Sequence, residues 1–483
     1  MHRRTAVTVN VLGIALVGSV LGCATNPVSG KKQLVLISEA QEIAIGRDAD
    51  KEVIAAIGLC PDEKLQQYVQ ALGTRLAAAS ERPGLPWTFR VVDDAAVNAF
   101  AIPGGFIYVT RGILAYLNSE AELVAVLGHE IGHVTARHSV SQMSKQQLAQ
   151  VGLVAGMIIS PKVAQFGNLA QAGLGMLFLK FSRDDESQAD RLGLKYMLAG
   201  GYDPREMTDV FRMLEDVTRQ AGAGRLPQWM SSHPDPENRQ VWATNAVASL
   251  NRNFAGMTVN RPGYVRLLDG IVFGENPREG FFQGNLFRHP DMAFRIEFPQ
   301  RWTGSNQKQA VGAVSPRQDA VVVLQLASAP NAQQAARQFF SQQGVTAGEP
   351  WRRQIGRFPA VSFTFQIQTQ EAVLPGLVAW IEDQDRVFQI LGYTTESGWS
   401  QHNRSIAQAI ESFDRETDPA VLSTQPRRLT LVELTHPATL EALLRDYPST
   451  VSPQIVALIN DLQGAATLAT GESFKRIVGG AGR

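Results

Sequence analysis

The chain has 483 residues, 44% hydrophobic and 19% charged, which is the composition of ordinary globular domains, and its length predicts roughly two to four of them. Lys and Arg number 45 and Asp and Glu 45, so the basic face that a nucleic acid requires is not expected, and no nucleic-acid partner is assigned. Two cysteines, Cys23 and Cys60, are too few for a disulfide framework, and a bond between them is not expected.

The first element is a targeting segment. Met1-His2-Arg3-Arg4 is a short basic head, Val11 to Gly22 is apolar yet too short to span a bilayer comfortably, and Cys23 follows. Residues 1–22 therefore read as a signal peptide. Val20-Leu21-Gly22-Cys23 resembles a bacterial lipoprotein cleavage box, with Leu21 a less usual choice, and this implies that Cys23 is the lipidated N-terminus of the mature chain. Ala24 resembles the residue found there in lipoproteins passed on to the outer membrane. The expected location is the bacterial cell envelope, as an outer-membrane lipoprotein whose body faces the periplasm and whose membrane partner is reached through acyl chains. Cys60 lies in IGLCPDE with no histidine nearby and is not expected to act as a nucleophile.

Apolar residues Leu123, Val126, Leu127, Ile131 and Val134 recur at three- and four-residue steps, which predicts a helix over Ser119 to Gln142. Ser119 caps it, and Glu122 is spaced to return to the cap amide in a capping box. Within this helix stands His129-Glu130-Ile131-Gly132-His133. Two histidines four apart share one helix face, so both can point at one metal ion, with Glu130 beside it to take a proton from water. Such a helix is expected to bury its apolar stripe and turn its histidines outward to a cleft. A hydrolytic zinc site needs a third protein ligand and one position left for water.

Leu148 to Lys180 is almost uncharged, and Pro161-Lys162 divides it into pieces too short to span a membrane, which predicts a buried or fold-back helical pair. A second helical pattern follows over 182–197, SRDDESQADRLGLKYM, where Glu186 and Asp190 lie four apart on one face. One carboxylate can ligate zinc while the other, a turn away, accepts from the non-ligating nitrogen of a zinc histidine. Glu186 is expected to be the ligand and Asp190 the group that orients the histidine.

HEIGH followed some fifty residues later by ESQAD resembles the zinc metallopeptidases of the HtpX, Oma and BepA kind, a gluzincin group. NAFAIPGGFIYVTRGIL, from Asn98 to Leu114, is similar to the family's strand and Gly-rich turn bordering the cleft, where an extended substrate can pair. SSHPDPENR is similar to its His-Pro motif followed by arginine. The resemblance covers roughly residues 26–245. It implies one zinc per chain held by His129, His133 and Glu186, with Glu130 as general base and acid, and with His233 and Arg239 as catalytic residues reaching the cleft from a loop. His233 has two opposed readings: it stabilises an oxyanion, or it takes the fourth metal position and keeps the site latent. His138, five residues past His133 and about 140° round an ideal helix, reads as a structural or surface residue.

Beyond the polar stretch 251–263 the pattern changes to short alternating segments, 294–298, 320–327 and 360–368, with helical pieces at 332–343 and 405–413. An α+β accessory domain over 264–416 is expected, with no catalytic constellation; His289 reads as a turn or core residue. A linker near 417–426 leads to a tail, 427–479, ordered strand, helix, helix, strand. Its TLEALL, Asn460 and Gly471 resemble a LysM module, a fold that binds peptidoglycan-type glycans, although His436-Pro437-Ala438 replaces the usual Gly-Asp.

The fold class expected is therefore multidomain: a mainly α-helical zincin-type metallopeptidase domain with a small β-sheet (23–255), the α+β domain, and a small βααβ LysM-like domain. The function expected is a periplasmic, lipid-anchored zinc metalloendopeptidase acting on misfolded or stalled envelope proteins. The alternative is a chaperone-like or peptidoglycan-anchored assembly scaffold whose zinc site is silent or latent.

Overall fold

The structure is a computed structural model that describes residues 23–145, 181–221, 229, 233, 236–369, 372–462 and 467–480. The expected signal peptide, the apolar stretch 148–180 and the side chain of Cys23 lie outside what is described. Among the described residues no helix is long and apolar enough to cross a membrane.

A short antiparallel ladder of β1 (Cys23–Thr25) and β2 (Lys32–Leu34) opens the chain. Helix α1 (Glu39–Ile57) starts at a full capping box between Ser38 and Gln41, and α2 (Glu63–Ala77) is capped by Asp62. They pack against opposite faces of a three-stranded sheet. Its centre is β5 (Phe106–Thr110), with β3 (Thr88–Val92) parallel on one side and β4 (Ala99–Ile102) antiparallel at the edge. Alternation along β5 sends Phe106 and Tyr108 toward Ala49 and Val53 of α1, and Ile107 and Val109 into the main core with α2. Gly104, at φ +85°, makes the turn between β4 and β5; a Cβ there would meet the Ile43 Cα at 2.9 Å.

After α3 (Arg111–Tyr116) comes α4 (Glu120–Thr135), whose Ser119 cap accepts from the Glu122 amide at 3.0 Å. The capping box is not closed as expected. The Glu122 carboxylate reaches one residue further back and accepts from the Asn118 amide at 2.5 Å. Nor does the helix run to Gln142: it stops at Thr135, Arg137 takes a left-handed φ of +59°, and a new helical run begins at His138. The Arg137 guanidinium fixes this break by pairing with Glu42 at 2.9 Å and donating to the Ile37 carbonyl at 2.8 Å. The histidine face, expected to turn to a cleft, is enclosed. All residues of α4 are buried, because α5 (Arg183–Ala199) and α6 (Glu206–Ala221) cover the face that would have met solvent.

Helices α7 (Pro236–Ser249) and α8 (Arg261–Leu267) complete this body. Tyr264, Val265, Leu268, Ile271 and Phe273 join its core, so the accessory domain does not begin at 264 as the change in polarity suggested; the first body continues to Phe273. Beyond it, an eight-stranded sheet is built from antiparallel neighbours and runs from Thr303–Asn306 at one edge to Val345–Pro350 at the other. In one of its inner strands, Val373–Asp383, Val378 and Trp380 face a helix at Ala332–Phe340. Leu377, Ala379 and Ile381 face a helix at Trp399–Glu411 and a four-stranded sheet that includes Phe294–Glu297. The helix expected from 405 starts at Trp399, since buried His402 extends its inner face by a turn.

The tail is a strand (Arg427–Glu433), two helices (Leu440–Asp446 and Pro453–Ile459) and a strand (Ser473–Gly479) antiparallel to the first. It does not stand apart. Leu429, Ile459 and Ile477 enter the core of the first body, and the Leu429 backbone exchanges hydrogen bonds with Gly270 and Ile271 at 2.8 and 2.9 Å.

Candidate active site

Helices α4 and α5 approach through small residues. A Cβ on Gly128 would lie 3.2 Å from the Gly193 Cα, and one on Gly132 would lie 3.0 Å from the Ala189 carbonyl oxygen. That proximity brings Glu186, in the first turn of α5, against the two histidines of α4. Its carboxylate oxygens stand 3.4 Å from His133 Nε2 and 3.6 Å from His129 Nε2. His233 comes from the segment before α7, stacked on Trp229 with ring centroids 4.3 Å apart, and its Nδ1 lies 2.9 Å from Glu186 Oε1 and 3.3 Å from His129 Nε2. One donor atom from each of His129, His133, Glu186 and His233 thus falls within 4.8 Å of the others, all four side chains buried.

Around this cluster a second set of contacts fixes orientation. Asp190 accepts from His129 Nδ1 at 2.9 Å, which leaves the Nε2 lone pair facing the cluster. Arg239 pairs with Asp190 at 2.6 Å and Glu186 at 3.1 Å, and its guanidinium lies over Phe211 at 4.6 Å. It does so from α7 rather than from the loop that the resemblance implied, and its charge is directed at the two carboxylates. His138 is the residue the spacing misplaced. The break at Arg137 turns its buried ring back so that Nδ1 lies 2.9 Å from His133 Nδ1. Only the periodicity break itself signals this, and a break set by Glu42, some ninety residues upstream, leaves no local mark. Trp229 was likewise unflagged, because its role is a stacking contact made in the fold.

Electrostatics separate the groups by task. Burial, followed by the charge of Arg239, lowers His129 to about 3, so its imidazole stays neutral as a metal ligand requires. Burial pushes the Glu186 carboxyl up, but His233 and Arg239 outweigh that and hold it well below the usual carboxylate range. Burial pushes Glu130 up to about 7, with both its oxygens buried and, among the described residues, without a hydrogen-bond partner. A buried carboxylate without a partner is costly, and one beside three imidazole nitrogens and a second carboxylate fits a group that works on water at a cation. The donor set suits zinc, which favours imidazole and carboxylate ligands in a tetrahedral arrangement.

A helix-borne HExxH facing a glutamate on a neighbouring helix is an arrangement that could hold a zinc ion, as in metallopeptidases. Residues 63–245 match the model of Peptidase family M48. The chain is 32% identical over 234 residues to the β-barrel assembly-enhancing protease of Yersinia pestis, covering 46% of this chain and 47% of that one. It is 30% identical over 234 residues to the protein of the same name from Escherichia coli K12, covering 47% and 48%. With the mitochondrial metalloendopeptidase OMA1 of Schizosaccharomyces pombe it shares 31% identity over 219 residues, 44% of this chain and 63% of that one. The chain thus spans about half the length of the first of these curated relatives.

Proposed function

We propose that the protein is a zinc-dependent metalloendopeptidase, lipid-anchored at Cys23 and facing the periplasm, that hydrolyses misfolded or stalled envelope proteins. The observation that carries the reading is the meeting of His129, His133 and Glu186 beside a buried Glu130 whose oxygens have no hydrogen-bond partner among the described residues. The name of the bacterial relatives, β-barrel assembly-enhancing protease, supports β-barrel proteins caught during assembly as one substrate class.

His129, His133 and Glu186 hold the zinc, which when bound supplies Lewis acidity toward a water and a peptide carbonyl. Glu130, raised toward neutrality by burial, accepts the proton of the attacking water and returns it to the leaving amine. Asp190 keeps His129 in the ligating tautomer. Strand β4, at the sheet edge, offers its free side to an extended substrate backbone, in keeping with hydrolysis of unfolded chains. His233 is read as a latch: its Nδ1 stands among the donor atoms, where it competes with water for the fourth position. The tail is proposed as a LysM-like module, and its docked face leaves glycan binding to the opposite surface.

The test is cleavage of casein by the mature chain, with zinc counted, for wild type, Glu130→Gln and His233→Ala. Glu130→Gln should keep its zinc and lose activity by about 100-fold or more. His233→Ala should cleave faster than wild type. Zinc-loaded protein that is inert in both wild type and His233→Ala would overturn the peptidase reading in favour of a scaffold. Palmitate labelling in cells, lost in Cys23→Ser, tests the anchor.

A further inference from the structure

His129 has an orienting partner in Asp190, and a histidine that ligates through Nε2 generally needs one on Nδ1. For His133 that position is filled by another imidazole. His138 Nδ1 lies 2.9 Å from His133 Nδ1, with the rings edge to face at 75° and 4.9 Å between centroids. Its second nitrogen, Nε2, lies 3.0 Å from Gln188 Oε1 and 3.5 Å from Asp185 Oδ1, both on α5 next to Glu186. Phe181 covers the other side of the His133 ring, 4.1 Å between centroids.

Two imidazoles that meet through their Nδ1 atoms must divide the roles, one donating and one accepting. His133 Nε2 faces Glu186 Oε1 and His129 Nε2, where a cation requires its lone pair, so its proton belongs on Nδ1. His138 must then accept through Nδ1 and carry its own proton on Nε2. Acceptor oxygens stand there. The reverse assignment would turn a bare Nε2 toward Gln188 Oε1 and Asp185 Oδ1, and would aim a His133 proton into the donor cluster.

We propose that His138 is the positioning residue of His133: a neutral acceptor that fixes its tautomer and ring plane and ties it to the helix carrying Glu186. This rests on the zinc reading above. Arg137, held in its left-handed turn by Glu42, aims the His138 ring, so α1 is coupled to the metal ligand through a single backbone break. Both histidine ligands are then braced from α5, His129 by Asp190 and His133 by His138 through Gln188.

The test compares full-length wild type, His138→Leu and His138→Asn for zinc affinity by chelator competition, with melting of the zinc-free proteins alongside. Asn carries an acceptor oxygen near the place of His Nδ1, and Leu does not. His138→Leu should weaken zinc binding by about 10- to 100-fold and His138→Asn should recover most of it, while their zinc-free melting midpoints agree. Leu and Asn variants with equal affinity, or a Leu variant that binds as wild type does, would overturn the proposal. Nitrogen-15 NMR of histidine-labelled wild type with zinc bound decides the point without a variant, since it should find His133 protonated on Nδ1 and His138 on Nε2. A His138 protonated on Nδ1 would sink it. A wild type that takes up no zinc would instead overturn the metal site, and the assignment with it.

Discussion

At the residue scale, Arg239 carries more of the site than a catalytic helper would. Among the described residues it is the arginine or lysine that pairs with both Glu186 and Asp190, and all three are buried. Removing one partner of a buried ionic group leaves uncompensated charge, which costs about 3–5 kcal/mol. Arg239→Met should therefore melt well below wild type when zinc-free. Bound zinc would restore positive charge beside Glu186, so the zinc-induced rise in melting temperature should be larger in Arg239→Met than in wild type. Equal rises, seen by calorimetry with and without zinc, would mean that Arg239 does not neutralise these carboxylates. The carboxylates were legible from sequence because Glu186 and Asp190 obey helix spacing, as do His129 and His133. His138 was not, since an ideal helix carries it away from His133 and only the turn at Arg137 brings it back. Arg239 was legible as a motif member but not as the counter-charge, which exists only once α7 packs over α5.

At the element scale, the site depends on how closely α4 and α5 lie. A Cβ on Gly193 would meet the His129 amide nitrogen at 3.1 Å and the Gly128 carbonyl carbon at 3.4 Å, and these are backbone atoms that cannot swing aside. Gly193→Val should force the helices apart. Overpacking of this kind costs roughly 1–3 kcal/mol, and here the strain falls on the contact that carries Glu186 to the histidines. Zinc bound per chain should drop along with the melting temperature; a variant that melts early but keeps wild-type affinity would show that the ligands do not need this approach. The apolar stripe of α4 was readable, because periodicity reports one buried face. Its complete burial was not, since small residues such as Gly128 and Gly132 seldom look like packing positions until a second helix is laid on them. The same limit displaced the domain boundary: Tyr264 and Phe273 sit past a polar stretch, and only the fold returns them to the first core.

At the scale of the molecule, the tail is docked against the first body close to the start of α4. Lys475, on its last strand, donates to the carbonyls of Ala115 and Leu117 at 3.0 and 2.9 Å, at the end of α3 and the start of the turn that leads into α4. Burial, with Arg261 adding to it, holds this amine well below its usual value, and a neutral amine has two N–H groups for those two acceptors. The folded pKa is thus depressed while the unfolded one stays near about 10.4, so between the two values unfolding takes up a proton and stability rises with pH. Glu122 opposes this only at lower pH: burial raises it to about 8, which makes stability fall as pH climbs toward that value and adds no slope above it. Tyrosines and Cys60 titrate in both wild type and Lys475→Met and cancel when the two are compared. The stability difference between them, from denaturant midpoints, should therefore move in favour of wild type by about 1.4 kcal/mol per pH unit above roughly pH 8. A flat difference would mean that Lys475 keeps its charge in the folded protein.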